Sequence, residues 1–579
     1  MKLQKLFAVI MLLFTIISLT ACNRDKAELV VCVGSNPDTV DPALNSAVNG
    51  ATLIIHAFSG LTGYKQNSEG VLEIVPDCAV ALPEPKHLSD GKVEYEFTLK
   101  SDLKWSDGTA LDAHDFEYSW KRAASSELGA DYSYLFDIID GYGTDNLNVK
   151  ASTDGKKFTV VLKNYVSYFF ELCAFPTFMP VKKEVVEANP DGWATKPKTY
   201  VGNGPYKMVK WVENSKIVYE KNPYYHNADE VKINDIEFAL SDNAGTLLAN
   251  YKRGTFLFID IVPNEEIPAL RRDYPNEFVV TGQLGTYYIC FNVADDTLFG
   301  DIVTDEVDKA KVRKALSLLL DRDHIATRIG QAGQIPANSY VPIGLTEPDG
   351  VTEFVEKNGP NRNGSGYFSV DKDDYADNCA EAVRLLKEVG YEYDETRKKF
   401  TNFPSFTYLT NPDAPHPAIA AYVKEVFEQY GIIMNIEMQE FGTFLNTRKN
   451  GDYVLARNGW LADFNDPISF LDMWTSYSGN NDCQLGKGSH ANVAIYGENN
   501  NQTWAEVYDP IIEQVKSSTN QEERFELMHR AEDLIMSTGA ICPIYYYTDL
   551  FMVSPKLEGF FTSPLGYKFF MYATVNQDK

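Results

Sequence analysis

The feature that most restricts this chain is the position of its one long apolar stretch. Leu6 to Leu19 carries no charge, comes after a positive start at Lys2 and Lys5, and has no counterpart in the rest of the 579 residues. As a helix it would rise about 21 Å, well short of the ~30 Å hydrocarbon core of a bilayer. A positive start followed by a short apolar run is the pattern of an export signal. The remainder of the chain must therefore bury its apolar side chains in cores of its own, outside the cytoplasm. Single cores stop growing at about 250–300 residues, so at least two domains are expected.

The balance of 53 basic against 81 acidic residues, a formal net charge of -28, repels phosphate backbones and anionic headgroups. Nucleic acid is excluded as a partner. Removing the leader takes away only Lys2 and Lys5 and makes the mature chain more acidic still. The leader ends in Leu19-Thr20-Ala21-Cys22, which resembles the lipobox of bacterial lipoproteins. The resemblance implies cleavage after residue 21 and a diacylglyceryl group on the Cys22 thiol; two acyl chains anchor stably where one does not.

Seven further cysteines remain: Cys32, Cys78, Cys173, Cys290, Cys379, Cys483 and Cys542. The number is odd, the spacings are wide and no C-x-x-C occurs, so neither a zinc site nor a disulfide framework is indicated. Buried free thiols are the expectation, with room for one bridge.

Between residues 93 and 99, Val93, Tyr95, Phe97 and Leu99 alternate as in a half-buried strand. Asp112 reads as the N-cap of a helix carrying Phe116 and Trp120. Helices are predicted at 312–320, around 382–389 ahead of Gly390, and at 417–430 ahead of Gly431. Ile432, Met434, Ile436 and Met438 then alternate with polar residues as a strand. Helices interleaved with strands give an α/β class. Catalytic patterns are missing: there is no G-x-S-x-G, H-E-x-x-H or G-x-x-x-x-G-K, and Pro205 interrupts the glycine loop that starts at Gly202. No enzyme, metal or cofactor is expected.

Five stretches resemble the family 5 extracellular solute-binding proteins of ABC importers, and among these the oligopeptide-binding proteins: 93–123 (VEYEFTLKSDLKWSDGTALDAHDFEYSWKRA), 202–228, 312–329, 443–474 (TFLNTRKNGDYVLARNGWLADFNDPISFLDMW) and 541–547 (ICPIYYY). The resemblance implies a two-lobed periplasmic-binding-protein fold of type II, cluster C, with an additional third domain. Carried over by order, lobe I takes 22–59, 198–285 and 548–579, the extra domain 60–197, and lobe II 286–547. Its ligand would be a short peptide held between closing lobes and passed to an ABC permease by a monomeric, lipid-anchored protein.

A carrier of mixed peptides must hold what all peptides share, a backbone and two charged ends. By position, Asp463 matches the family residue that binds the peptide ammonium. Arg457, Arg448 and His416 match positions that bind the carboxylate, a role that suits the planar fork of arginine. Val48, Phe441, Gly459, Trp460, Leu461 and Tyr547 match backbone and pocket positions. Two departures stand out. Leu461 replaces a cysteine that forms a disulfide in some relatives, and Ser46 replaces an acidic residue that helps receive basic side chains. Cys22 also differs from the soluble enterobacterial proteins and implies the outer face of a Gram-positive cell membrane. The remaining readings are a receptor for pheromone or murein peptides, a carrier of nickel chelates or sugars, an extracytoplasmic peptidase, and an adhesin or folding helper.

Overall fold

The structure is a computed structural model that describes residues 27–487 and 502–579. The leader 1–21 and the anchor position Cys22 lie outside the described residues. Eleven strands form one large sheet: β1 (Leu29–Cys32), β2 (Tyr206–Val212), β3 (Lys216–Lys221), β4 (Asp235–Ala239), β5 (Phe258–Ile259), β6 (Phe278–Phe291), β7 (Ile335–Pro336), β8 (Phe406–Thr410), β9 (Met434–Met438), β10 (Leu455–Leu461) and β11 (Ile541–Val553). Across the sheet the order is β9-β8-β10-β6-β11-β5-β1-β4-β3-β2, with β7 also paired to β11.

Two strands make this one sheet rather than two. The 14 residues of β6 and 13 of β11 run antiparallel, each about 45 Å long at the usual rise. Their pairing is continuous from Phe278↔Met552 to Gly282↔Thr548, breaks, and resumes at Thr286↔Tyr546. In the break the Leu284 N–H turns to the Pro564 carbonyl, at 2.9 Å. On one side of the break lies the half of the sheet with β1 to β5, and on the other the half with β8 to β10. The molecule thus has two α/β lobes joined by a pair of crossover strands.

In the first half, β1 pairs in parallel with β4 and β5 and is buried throughout, as a strand covered on both faces should be. Helix α1 (Val48–Ala57) packs on β2 and β4, where His56 meets Tyr206 at 6.0 Å and Phe238 at 5.3 Å, and the Gly202-Asn203-Gly204 turn closes its end. A Cβ on Gly202 would fall 2.0 Å from the Ala57 carbonyl oxygen, and one on Gly204 2.5 Å from the Phe58 nitrogen. These glycines serve close backbone approach and cradle no phosphate.

Residues 86–162 build a separate four-stranded antiparallel sheet, covered by α2 (Ala113–Ala124). The Asp112 carboxylate caps α2 by accepting the His114 N–H at 2.8 Å. Trp120 of α2 meets Phe158 edge-on at 5.0 Å. In the second half, α3 (Glu306–Leu318), α4 (Tyr375–Glu388) and α5 (His416–Gln429) share one apolar core with β6, β8 and β10. Gly390 and Gly431, at φ of 104° and 78°, end α4 and α5 as their positions imply. The strand expected at 432–438 corresponds to β9, but only its start is buried. Ile432 and Met434 are covered, whereas Ile436 and Met438 are 36% and 50% exposed. As the outer edge of the sheet, β9 has no layer over its far end.

The extra sheet and the chain after β10 also share core. Tyr168 stacks on Phe464 at 4.1 Å, and the Lys516 ammonium lies 2.8 Å from Asp137 and 3.3 Å from Asp472. Among the described residues no helix is long and apolar enough to cross a membrane.

Candidate ligand-binding cleft

Between the two halves of the sheet lies a cavity of about 370 Å³, within the range of small-ligand sites. Val48, His416, Phe441, Arg448, Arg457, Gly459, Trp460, Leu461, Asp463 and Tyr547 all line it, as does Ser46. These residues come from the start of α1, the start of α5, α6 (Phe441–Lys449), β10 with the turn after it, and β11. Every site position expected from sequence within the described residues therefore reaches one cavity.

The floor is β10. One edge pairs with β6 from Leu455 to Leu461, but on the other β8 pairs only with Leu455 and Ala456. From Arg457 to Leu461 that second edge has no strand partner among the described residues. Gly459 sits there for a steric reason: a Cβ would fall 2.2 Å from the Tyr547 hydroxyl. Trp460 is anchored by its indole N–H, which donates to the Ser469 carbonyl at 2.7 Å.

Asp463 lies just past the end of β10 and is 6% exposed. Its Oδ1 accepts the Tyr132 hydroxyl at 2.9 Å, whereas its Oδ2 is buried with no hydrogen-bond partner. Its N–H is tied to the Ser469 hydroxyl at 2.8 Å, which holds the turn. Burial pushes the Asp463 carboxyl well above the ordinary carboxylate range, and the charge of Asp472 adds to this against the opposing Tyr132 hydrogen bond. A buried carboxylate with a free oxygen and no cation is costly unless a ligand supplies one.

At the other end two arginines differ. Arg448 is 2.7 Å from Asp482 Oδ2, so its charge is already countered within the chain. The Arg457 Nε donates to the neutral Asn411 Oδ1 at 2.6 Å, and no ion pair to a carboxylate forms among the described residues. Its guanidinium lies over Phe444 at 4.6 Å and Phe441 at 5.6 Å. Burial lowers the Arg457 pKa, the signature of a cation without a full partner. His416 stacks on Tyr287 at 5.5 Å, and its Nδ1 is buried without a partner. Burial first, and Arg457 second, push this imidazole well below its ordinary value. It is neutral at pH 7 and offers a hydrogen bond rather than a charge.

Tyr132, Phe175, Asp260 and Asp413 line the cavity too, without having been expected from the sequence. Tyr132 and Phe175 come from the extra domain; their number in the chain says nothing of their reach. Asp413 and Asp260 are acids on opposite walls. Burial raises the Asp413 carboxyl to about 6, with Arg457 opposing. Burial raises Asp260 to about 7, opposed by Lys568 3.4 Å away, which is shared with Asp549 at 2.8 Å. Only Asp413, three residues before His416, could have been noticed by its neighbourhood.

Two α/β lobes, a crossover pair and a cleft between them with charged groups at its ends define the class of two-lobed solute-binding proteins. The chain belongs to the bacterial extracellular solute-binding proteins, family 5, whose middle region it matches over residues 73–482. It is 32% identical to the periplasmic oligopeptide-binding protein OppA of Salmonella typhimurium, over 93% of this chain and 90% of that protein. The crystal structure of Haemophilus influenzae OppA in complex with the peptide RPPGFSPFR superimposes with a TM-score of 0.79 at 26% identity, covering 96% and 99% of the two chains. The murein tripeptide binding protein MppA of Escherichia coli superimposes with 0.79 at 25% identity, covering 95% and 99%, but the unliganded open form of MppA with only 0.57, covering 95% and 98%. The arrangement of the two lobes here is thus closer to the former structure than to that open form.

Proposed function

We propose that this protein captures short, free-ended peptides between its lobes and delivers them to an ABC permease. The observation that carries the reading is the pair of unmatched charges in one cavity: a buried carboxylate oxygen at Asp463 and a buried guanidinium without a carboxylate at Arg457. A peptide supplies the ammonium for the first, the carboxylate for the second, and backbone groups for the open edge of β10. Pairing through the backbone is indifferent to side chains, which suits a carrier of mixed sequences. Arg457 and Asp463 are six residues apart, at most about 20 Å along an extended chain.

Asp463 takes the ammonium and Arg457 the carboxylate, with Arg448 behind it and His416 as a neutral donor. Val48, Phe441, Gly459, Trp460, Leu461 and Tyr547 shape the backbone track and side-chain pockets. Lobe I comprises 22–59, 198–285 and 548–579, the extra domain 60–197, and lobe II 286–547. The lipobox-like end of the leader supports a tether through Cys22 on the outer face of the cell membrane, as in Gram-positive organisms. The relatives this chain matches are binding proteins, which supports a bound peptide that leaves intact.

Titration calorimetry with one tripeptide in free, N-acetylated and C-amidated forms tests the reading. Blocking either end is expected to weaken binding, the amino end more. Equal affinity for all three would overturn it, and cleavage of the peptide, read by mass spectrometry, would point to a peptidase instead.

A further inference from the structure

The odd set of thiols resolves in space. All seven described cysteines are buried and free, and Cys290 and Cys483 fall in one core cluster: the Cys290 thiol donates to the Ala456 carbonyl at 3.4 Å, and the Asn458 amide reaches both Cys290, at 3.8 Å, and Asp482, the neighbour of Cys483, at 3.0 Å. Cys290 is on β6, in register with Ala456 of β10 and Ile541 of β11. Cys483 is brought to it by backbone contacts. The Val293 N–H donates to the Cys483 carbonyl at 3.0 Å, and the Cys483 thiol reaches the Ala540 carbonyl at 3.5 Å, which also accepts the Phe291 N–H at 2.8 Å. The thiols of Cys32, Cys78 and Cys542 lie elsewhere, against the Gly34 and Ser241 carbonyls, the Ser59 carbonyl and the Arg322 guanidinium.

Two buried guanidinium groups stand beside the pair. Arg448 acts on Cys290, and Arg313 of α3, whose Nη1 and Nη2 are buried without hydrogen-bond partners, acts on Cys483. Nearby cations favour the thiolate, the form that attacks a disulfide. Burial pushes both thiols up, but at Cys290 the neighbouring thiol and Arg448 outweigh it and hold the group below the ordinary cysteine value.

We propose that Cys290 and Cys483 form a disulfide in the exported protein. The oxidant is a small-molecule or protein disulfide, the class of reagent found where secreted proteins fold. The thiolate of one cysteine attacks the reagent, making a mixed disulfide and releasing one thiolate. The second cysteine then attacks that mixed disulfide, forming the Cys290–Cys483 bond and releasing the other thiolate. The two protein thiols lose two protons and two electrons, and the reagent is reduced to two thiols. Both residues are buried once packed, so Cys290, with Arg448 beside it, takes the reagent first while the segment 475–487 is undocked, and Cys483 attacks the mixed disulfide as that segment packs against the end of β6. The bridge ties β6 to the residue beside Asp482, the counter-ion of Arg448, and closes a long loop, the case in which a cross-link restrains the unfolded chain most.

The test is a thiol map of the full chain taken from exporting cells. The protein is alkylated in denaturant without reduction, digested and read by mass spectrometry. The expected result is a linked pair of peptides carrying Cys290 and Cys483, lighter than the two thiol peptides by two hydrogens and separated by reduction. Alkylated Cys290 and Cys483, or a bond from either to a different cysteine, would overturn the proposal. Refolding the wild-type chain in a glutathione redox buffer provides the second measurement. The same bridge should re-form and raise the melting temperature by several degrees over the reduced chain; a refolded protein in which both thiols stay free would also overturn it.

Discussion

The two ends of the cleft hold groups of opposite charge at similar burial, and they are built differently. At the Asp463 end a single carboxylate meets only a neutral hydroxyl, and one oxygen is left without a partner. At the other end two guanidinium groups lie within one cavity, one held by Asp482 and one by a neutral amide. Burial alone therefore does not mark a ligand-binding charge; the absence of a partner does. A buried pair satisfied within the chain belongs to the fold, and a buried charge left open is a place for a ligand. The Asp463 end is a single point, and the arginine end is distributed.

That contrast can be broken most directly at Arg448. Arg448→Ala leaves Asp482 buried and unpaired, so urea denaturation should show a loss of about 3–5 kcal/mol in stability. Arg457→Ala removes no internal ion pair and should unfold close to wild type. If the two variants were equally stable, the distinction between a paired and an open arginine would fail.

The next largest effect is at the other end. Asp463→Asn should weaken a free-ended tripeptide by about 2–5 kcal/mol, roughly 30-fold to several thousand-fold, by titration calorimetry. N-acetylation should lower wild-type affinity by a similar factor and change the variant little. Arg457→Ala comes after it, at about 2 kcal/mol or some 30-fold, and should spare a C-amidated peptide. A larger loss from Arg457→Ala than from Asp463→Asn would mean that the carboxylate end is the single point.

Protonation sharpens the same comparison. The Asp463 value in the closed fold lies above that of a solvated carboxylate, near 4. With the cleft closed and empty, stability from the protonated group is present below about 4 and is lost as pH rises through the elevated value. A ligand ammonium needs the ionised form, so affinity gained above that value is lost as pH falls through it. Free-ended peptides should bind more weakly at pH 5 than at pH 7.5, and Asp463→Asn should flatten the profile. A wild-type profile as flat as the variant's would show that Asp463 is not the titrating partner. The smallest change is at His416, where a neutral ring is removed: His416→Ala should cost under about 1.5 kcal/mol in affinity, with no histidine step in the pH profile. A step near pH 6.5 in the wild type would show a charged imidazole at work.

Much of the architecture is legible in the sequence because local patterns carry it. The Asp112 cap, the glycines that end α4 and α5, and the alternation at 93–99 depend on neighbours close in sequence, and each occurs at its expected place. The far end of β9 departs from expectation because alternation shows which side chains share a face but not whether anything covers that face. The site positions on β10 come from a resemblance over a long motif, and the structure gathers them in one cavity.

By itself, then, the sequence determined an α/β chain too long for one core, the elements of its lobes, and a set of residues at candidate contact positions. Only the tertiary structure decided which charges are spoken for. Arg448 and Arg457 lie nine residues apart with nothing in their surroundings to rank them, and Asp482, Asn411 and Tyr132 are assigned to them and to Asp463 by packing across long separations. The physical reason is that a charge's cost depends on its burial and on its partners, and both are properties of the folded neighbourhood rather than of the residue.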